Sequence, residues 1–209
     1  MKKVRIVCLA NSFKLHGRCL AGILLDDNNI PIKPNIWIRP ISKTEHGEVD
    51  TAIVSHINLL DIIELEVSDF IDKNNYQSEN VYFTDNSIRK IGELDKNYLD
   101  GMIETNFLIF GNKGKAISKD DISSLKNSLM FIRTDSYEVV LDSFQGKEKI
   151  KISFQYKDIR YDKITITDPF FIYEYRQNKF SNIKPIYLSL SVGKEYNDWY
   201  TKLVVGVIY

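Results

Sequence analysis

Cysteine is nearly absent from this chain. Cys8 and Cys19 are the only two in 209 residues, too few for a disulfide framework. A single bridge between adjacent strands would suit their spacing, but the reading adopted is two small buried hydrophobes in a reducing compartment. Net charge is absent as well, with 28 basic residues against 28 acidic ones. No global positive field gathers phosphates, so any nucleic-acid site has to be a local groove. No apolar stretch approaches the roughly 18 residues that a membrane helix needs. Met1-Lys2-Lys3 and the apolar residues after it begin like a secretion signal, but Arg5 interrupts the run. Asn11, Ser12, Lys14, His16 and Arg18 then follow where apolar residues would be required. The expectation is a soluble cytoplasmic protein with no membrane contact. A Gly-rich phosphate loop, a Gly-x-Ser-x-Gly elbow and a carboxylate-rich nuclease signature are also missing, so no catalytic residue and no cofactor are assigned.

What is present is strand-like patterning with sharp punctuation. Residues 4–9 and 19–25 are short apolar runs, and Asp26-Asp27-Asn28-Asn29 is a turn cluster after the second. Pro31 and Pro34 delay a third strand to about residues 35–40, and a longer strand is read over 57–67. Residues 86–128 differ: Leu94, Tyr98, Leu99, Met102 and Ile103 fit one helical face, Ile122, Leu125 and Leu129 another. Ser118 before Asp121 reads as a helix cap. Alternation returns in 137–142 and 150–157, joined by a hairpin at Gln145-Gly146-Lys147, and further strands are expected at 164–167, 170–175, 186–192 and 200–209. Charge is uneven along this order: +3 for residues 1–50, −5 for 51–128 and +2 for 129–209.

Several blocks carry a family resemblance. Val7-Cys8-Leu9-Ala10-Asn11-Ser12, Lys14, Gly17-Arg18-Cys19 and Ala21-Gly22 lie at the start. Trp37-Ile38-Arg39-Pro40-Ile41-Ser42 with Gly47-Glu48 follows, and Leu188-Ser189-Leu190-Ser191-Val192-Gly193 with Lys202-Leu203-Val204 lies near the end. In these the chain resembles prokaryotic proteins with the dual OB-containing domain, a poorly characterised family. The resemblance implies a mainly β fold with a few helices, built as two OB-like small β-barrels. It also implies a nucleic-acid or nucleotide-binding role in bacterial conflict or defence systems. The expected division is 1–128 for a first barrel with a helical insertion and 129–209 for a second.

The ligand-binding candidates are Asn11, Ser12, Lys14, Arg18, Trp37 and Arg39. The first four, with His16, offer amide, hydroxyl, ammonium and guanidinium donors to phosphate or carboxylate oxygens, with Gly17 allowing a tight turn. A solvated hairpin is the plain alternative. Trp37 and Arg39 share a strand face at i and i+2, as base stacking and backbone neutralisation require, although Arg39 could instead pair with Glu48. Zinc could be drawn from Cys8, His16, Cys19 and His46, but their spacing fits no compact ligand pattern, and no metal is expected. Phe170, Phe171, Tyr173, Tyr175, Arg176, Lys179 and Phe180 interleave aromatics with cations, which suits single-stranded nucleic acid or, equally, a half-buried strand. The leading reading is a binding protein for single-stranded nucleic acid or a nucleotide, with Lys14, Arg18 and Arg39 on phosphate and Trp37 stacking. The alternatives are an enzyme using His16 or Cys19, and an adaptor that meets a partner protein through the acidic middle.

Overall fold

The computed structural model describes residues 1–71, 75–84, 87–144, 146–181 and 183–209. It separates into two compact units, Met1–Met102 and Ile103–Tyr209, each built on its own sheet.

The first unit begins with β1 (Lys2–Lys14), β2 (Gly17–Leu25) and β3 (Trp37–Ile41), followed by the one-turn helix α1 (Thr51–Val54). Next come β4 (Asp61–Phe70), β5 (Asn80–Phe83) and β6 (Arg89–Glu93), then a 3-10 turn and the short helix α2 (Leu99–Met102). The sheet order is β1-β2-β3-β5-β4-β6, and β1 also pairs with β4. Residues 2–7 of β1 run antiparallel to 62–67 of β4, while residues 5–14 pair with 17–25 of β2. One strand hydrogen-bonded along both edges closes a five-stranded barrel, which leaves no exposed edge in the ring. Ile6, Cys8, Leu20, Ile38, Ile63, Leu65 and Val81 alternate inward to fill it. Cys8 and Cys19 are both free thiols.

Closing so small a ring brings backbones very near one another. A Cβ on Gly22 would lie 2.0 Å from the Val7 carbonyl oxygen, and one on Gly17 would lie 2.4 Å from that of Val49. Gly17 is therefore required for close approach and not, as expected, for a tight turn; it is Leu15, at φ 48°, that takes the left-handed conformation there.

The second unit contains β7 (Ala116–Ser118), β8 (Leu129–Thr134), β9 (Tyr137–Phe144), β10 (Lys147–Tyr156) and β11 (Ile159–Ile166). These are followed by the helix α3 (Pro169–Arg176), β12 (Ile186–Tyr196) and β13 (Trp199–Ile208). Its order, β9-β10-β11-β13-β12, repeats that of the first unit, including one parallel contact: β11 with β13 here, β3 with β5 there. In both units a helix follows the third strand of this order in the chain, α1 between β3 and β4 and α3 between β11 and β12, and an Asp caps it: Asp50 accepts from Ala52 N, Asp168 from Phe170 N and Phe171 N. The long first strand of the first unit is here broken in two. β8 pairs with β12 and β9 with β10, and the corner at Asp135-Ser136 is stitched to β10 by Thr134 Oγ1 donating to Gln155 O (2.7 Å) and Gln155 N to Ser136 O (2.9 Å). The protein is thus mainly β, with two OB-like domains.

Three expectations change. Residues 170–175 are not a strand. Asp168 at the cap and Pro169 in the first turn start a helix that turns Phe171 into the core and leaves Phe170 and Tyr173 exposed. The two helical faces read in 86–128 reduce to α2 and short 3-10 turns at Lys96–Tyr98, Ile109–Gly111 and Ile122–Ser124. Residues 103–128 pack with the second unit, so the division falls at 102/103 and not 128/129. There β7 pairs with β13, and the Tyr156 hydroxyl donates to Glu104 O (3.1 Å) and Asn106 O (2.6 Å). Within the expected hairpin turn Gln145 lies outside the described residues, but β9 and β10 pair on either side of it. Among the described residues, no helix is long and apolar enough to cross a membrane.

Gly22→Ala should lower the stability of the first unit by about 1–3 kcal/mol, because the new methyl meets backbone that cannot give way. Gly101→Ala, with nothing within 4 Å of its Cβ, should be neutral or slightly stabilising. Urea denaturation of the two variants checks the contrast, and equal midpoints would contradict the close strand approach.

Candidate functional site

Four of the six expected binding residues are buried. Asn11 lies inside β1, where its Nδ2 donates to the carbonyl of Val54, the last residue of α1 (2.7 Å), and to that of Ile57 just beyond it (2.8 Å). Ser12 is buried beside it and Trp37 is packed in the core. Arg39 is 2 % exposed. Its Nη2 meets Glu79 Oε1 at 3.0 Å, and its backbone N donates to Glu79 O at 2.9 Å. A cation held this way binds its own carboxylate and is closed to phosphate. The expected partner Glu48 instead accepts from the Thr44 hydroxyl at 3.0 Å. Lys14 and Arg18 are half-buried at the end of the β1–β2 hairpin. The Arg18 guanidinium lies 4.5 Å from the Phe13 ring centroid, and its backbone exchanges two hydrogen bonds with Val49 (2.8 and 2.9 Å).

Those two bonds pin the connection 42–50 against the hairpin, and a cavity of about 710 Å³ opens beneath it. That volume lies in the range of small-molecule sites. Ile41, Ile53 and Phe83 supply apolar wall; Ser42, Thr44, Glu48 and Asp50 supply oxygen; His16 and Lys43 supply nitrogen; Tyr82 supplies an aromatic ring. Tyr82 reaches this place because β5 runs parallel to β3, with Tyr82 opposite Ile41. The β4–β5 pairing slips between Val67 and Phe70, leaving the Tyr82 N–H to the Ser68 hydroxyl at 3.0 Å. Lys43 Nζ sits 5.5 Å from the Tyr82 centroid. Such a contact is worth about 0.5–1 kcal/mol at an exposed site, against about 1–3 kcal/mol for a base stacked on an aromatic ring. A stacking ligand can therefore displace the ammonium. The Glu48 carboxyl is held below its usual range, first by its own backbone N–H and then by Thr44, with His46 and Lys14 adding positive field.

The corresponding connection in the second unit is short. From the third strand to the helix it is only Thr167-Asp168, and the Asp168 carboxylate takes the N–H groups of Phe170 (2.9 Å), Phe171 (3.2 Å) and Val207 (3.0 Å). That unit holds another buried cation. Lys202 donates to Ile109 O (2.6 Å), Asn112 O (2.8 Å) and Asn112 Oδ1 (2.8 Å), with its ammonium 5.2 Å from the Tyr161 ring centroid. Burial pulls its pKa down to about 7. Its oxygen partners belong to the turn it anchors, which gives it a structural role.

Of the residues weighed in the sequence, His16, Ser42 and Glu48 line the cavity. Lys43, Thr44 and Asp50 adjoin Ser42 and Glu48 in sequence but form no motif, and Tyr82 is brought in by a parallel pairing across some forty residues, which leaves no local signal. The four proposed zinc ligands do not assemble: among the described residues, no three His, Cys, Asp or Glu side chains come together as a metal site. Part of the acidity of the middle segment is spent internally. Glu64 meets Arg89 at 2.6 Å and Lys3 at 3.4 Å, and Asp61 meets Lys90 at 2.5 Å.

Two measurements check these assignments. Arg39→Met should cost about 3–5 kcal/mol by stranding the Glu79 carboxylate, and Arg39→Met with Glu79→Met should recover most of it; equal losses in denaturant titrations would refute the pair. Lys202 has a folded pKa below its unfolded value, so between pH 7 and about 10 the unfolded chain binds the extra proton and stability rises with pH. Above that range buried tyrosines reverse the trend, Tyr156 being raised to about 12 by burial first and by the Glu104 charge next. Lys202→Met should flatten the rise, as followed by thermal unfolding against pH.

The sequence pattern of the dual OB-containing domain family matches residues 4–207. No curated protein matches the chain.

Proposed function

Because the chain belongs to the dual OB-containing domain family, we propose that it is a binding module for nucleotides or single-stranded nucleic acid, with the ligand seated in the cavity of the first barrel. The observation that carries this reading is the Tyr82 ring with the Lys43 ammonium over it, in a cavity whose other walls are apolar and hydrogen-bonding. An aromatic face accepts any base, and a nearby cation neutralises its phosphate. Lys14 and Arg18, at the end of the hairpin that brings His16 to the cavity, are proposed as further backbone contacts. Asn11, Ser12, Trp37 and Arg39 are left out of the contact set on account of their burial. A cytoplasmic setting and a part in bacterial conflict systems belong to the same proposal and rest on the family resemblance.

The balanced charge of the chain supports a local site with few ionic contacts. Fluorescence anisotropy with labelled single-stranded DNA and RNA at low salt, with mononucleotides as competitors, should detect binding. Tyr82→Ala and Lys43→Ala should each weaken it about tenfold. The logarithm of affinity should fall with the logarithm of salt at a slope of only about −1 to −3, as few phosphates are neutralised. Absence of binding at low salt, or affinity unchanged in both variants, overturns the reading.

A further inference from the structure

We propose that the first-barrel cavity selects ribose: it takes one ribonucleoside monophosphate unit, free or at the end of an RNA chain, in preference to its deoxy counterpart. The inference rests on reading the cavity as a nucleotide site and names the sugar it prefers. Two carboxylates, Glu48 and Asp50, line the same space as Lys43, His16 and Tyr82. A pocket built for phosphate alone would be weakened by them, since like charges repel. Ionised carboxylates accept hydrogen bonds and donate none, so they want donors on the ligand, and the hydroxyls of a ribose are the donors that deoxyribose has fewer of.

Neither carboxylate is loosely placed. Asp50 Oδ1 accepts the Ala52 N–H at 2.8 Å and caps α1, which orients the group and fills the end of the helix that would otherwise attract an anion. Glu48 Oε2 is oriented by the Thr44 hydroxyl, and Gly47, at φ +66°, bends the backbone just before it. The next residue, Val49, is fixed to Arg18. With the base on Tyr82 and the phosphate toward Lys43 and His16, a sugar diol would meet the two carboxylates and the Ser42 and Thr44 hydroxyls, and of these the carboxylates are the charged acceptors.

Calorimetric titration of the full chain with AMP and dAMP, and with CMP and dCMP, tests the proposal. The ribonucleotide of each pair should bind about tenfold more tightly, the worth of roughly one hydrogen bond to a charged group. Asp50→Asn keeps the capping oxygen and should bring the ratio toward one without moving the thermal unfolding midpoint. Lys43→Ala should weaken both members of a pair alike. A short adenylate RNA with a free 3′ end, compared with the same RNA ending in a 3′-phosphate, separates the two sources: tighter binding of the free end places the chain terminus in the cavity, and equal weak binding beside tight AMP binding places the free nucleotide there. Equal affinities for ribo and deoxy forms, or a preference unchanged by both Asp50→Asn and Glu48→Gln, overturn ribose selection while the nucleotide site stands. No binding of any nucleotide or RNA overturns both.

Discussion

The first unit depends on one strand being hydrogen-bonded along both edges. β1 has to be long enough to reach β4 with its first half and β2 with its second, and this single requirement propagates through the unit. It buries Ile6, Val7, Cys8, Leu9 and Ala10 completely, which is why the sequence opens on an apolar run. It forces β2 to carry a glycine where it crosses Val7. It draws Asn11 into the barrel wall, where its amide serves the end of α1, and it projects the hairpin so that His16 borders the cavity. The second unit instead divides the equivalent strand at Asp135-Ser136, so that β8 and β9 each serve one neighbour.

The two units share a strand order but differ in the connection that follows the third strand of that order. In the second, the third strand passes to its helix through two residues, and the capping aspartate is fully occupied by backbone N–H groups. In the first, the connection 42–50 is longer, bends at Gly47 and is fastened at Val49. Ser42, Lys43, Thr44, Glu48 and Asp50 of this connection line the cavity. Its side chains come from the β1–β2 hairpin, this loop, the start of α1 and β5.

Two cations of this molecule are buried and answered from within the fold. Arg39 and Lys202 lie in strands and are nearly inaccessible, one answered by a carboxylate and the other by three oxygens of a turn. Lys43 is exposed over an aromatic ring. A buried charge left unanswered costs far more than an exposed pair gains, so Arg39 and Lys202 are bound to the fold, whereas the Lys43 contact with Tyr82 is an exposed one.

Much of the architecture was legible from local pattern. Alternation in 150–157, the apolar run at 4–9 and the turn cluster at 26–29 each record which residues face inward along one strand, and pattern of that kind needs no knowledge of the rest of the chain. The aromatic segment 170–175 was misread because aromatic residues favour strands, although the Asp168-Pro169 start argued for a helix. The candidate site was legible only in part: the hairpin near His16 and the positions Ser42 and Glu48 stood out. The exclusion of Trp37 and Arg39 did not, because residue type does not say whether a side chain meets solvent or a partner forty residues away. Sequence alone therefore determined a mainly β protein, since strand periodicity is local, and the division into two barrels came from the family resemblance. The tertiary structure alone decided that Arg39 belongs to Glu79 and that Lys43 and Tyr82 share one cavity, because both follow from the parallel pairing of β3 with β5, a long-range register that no local pattern encodes.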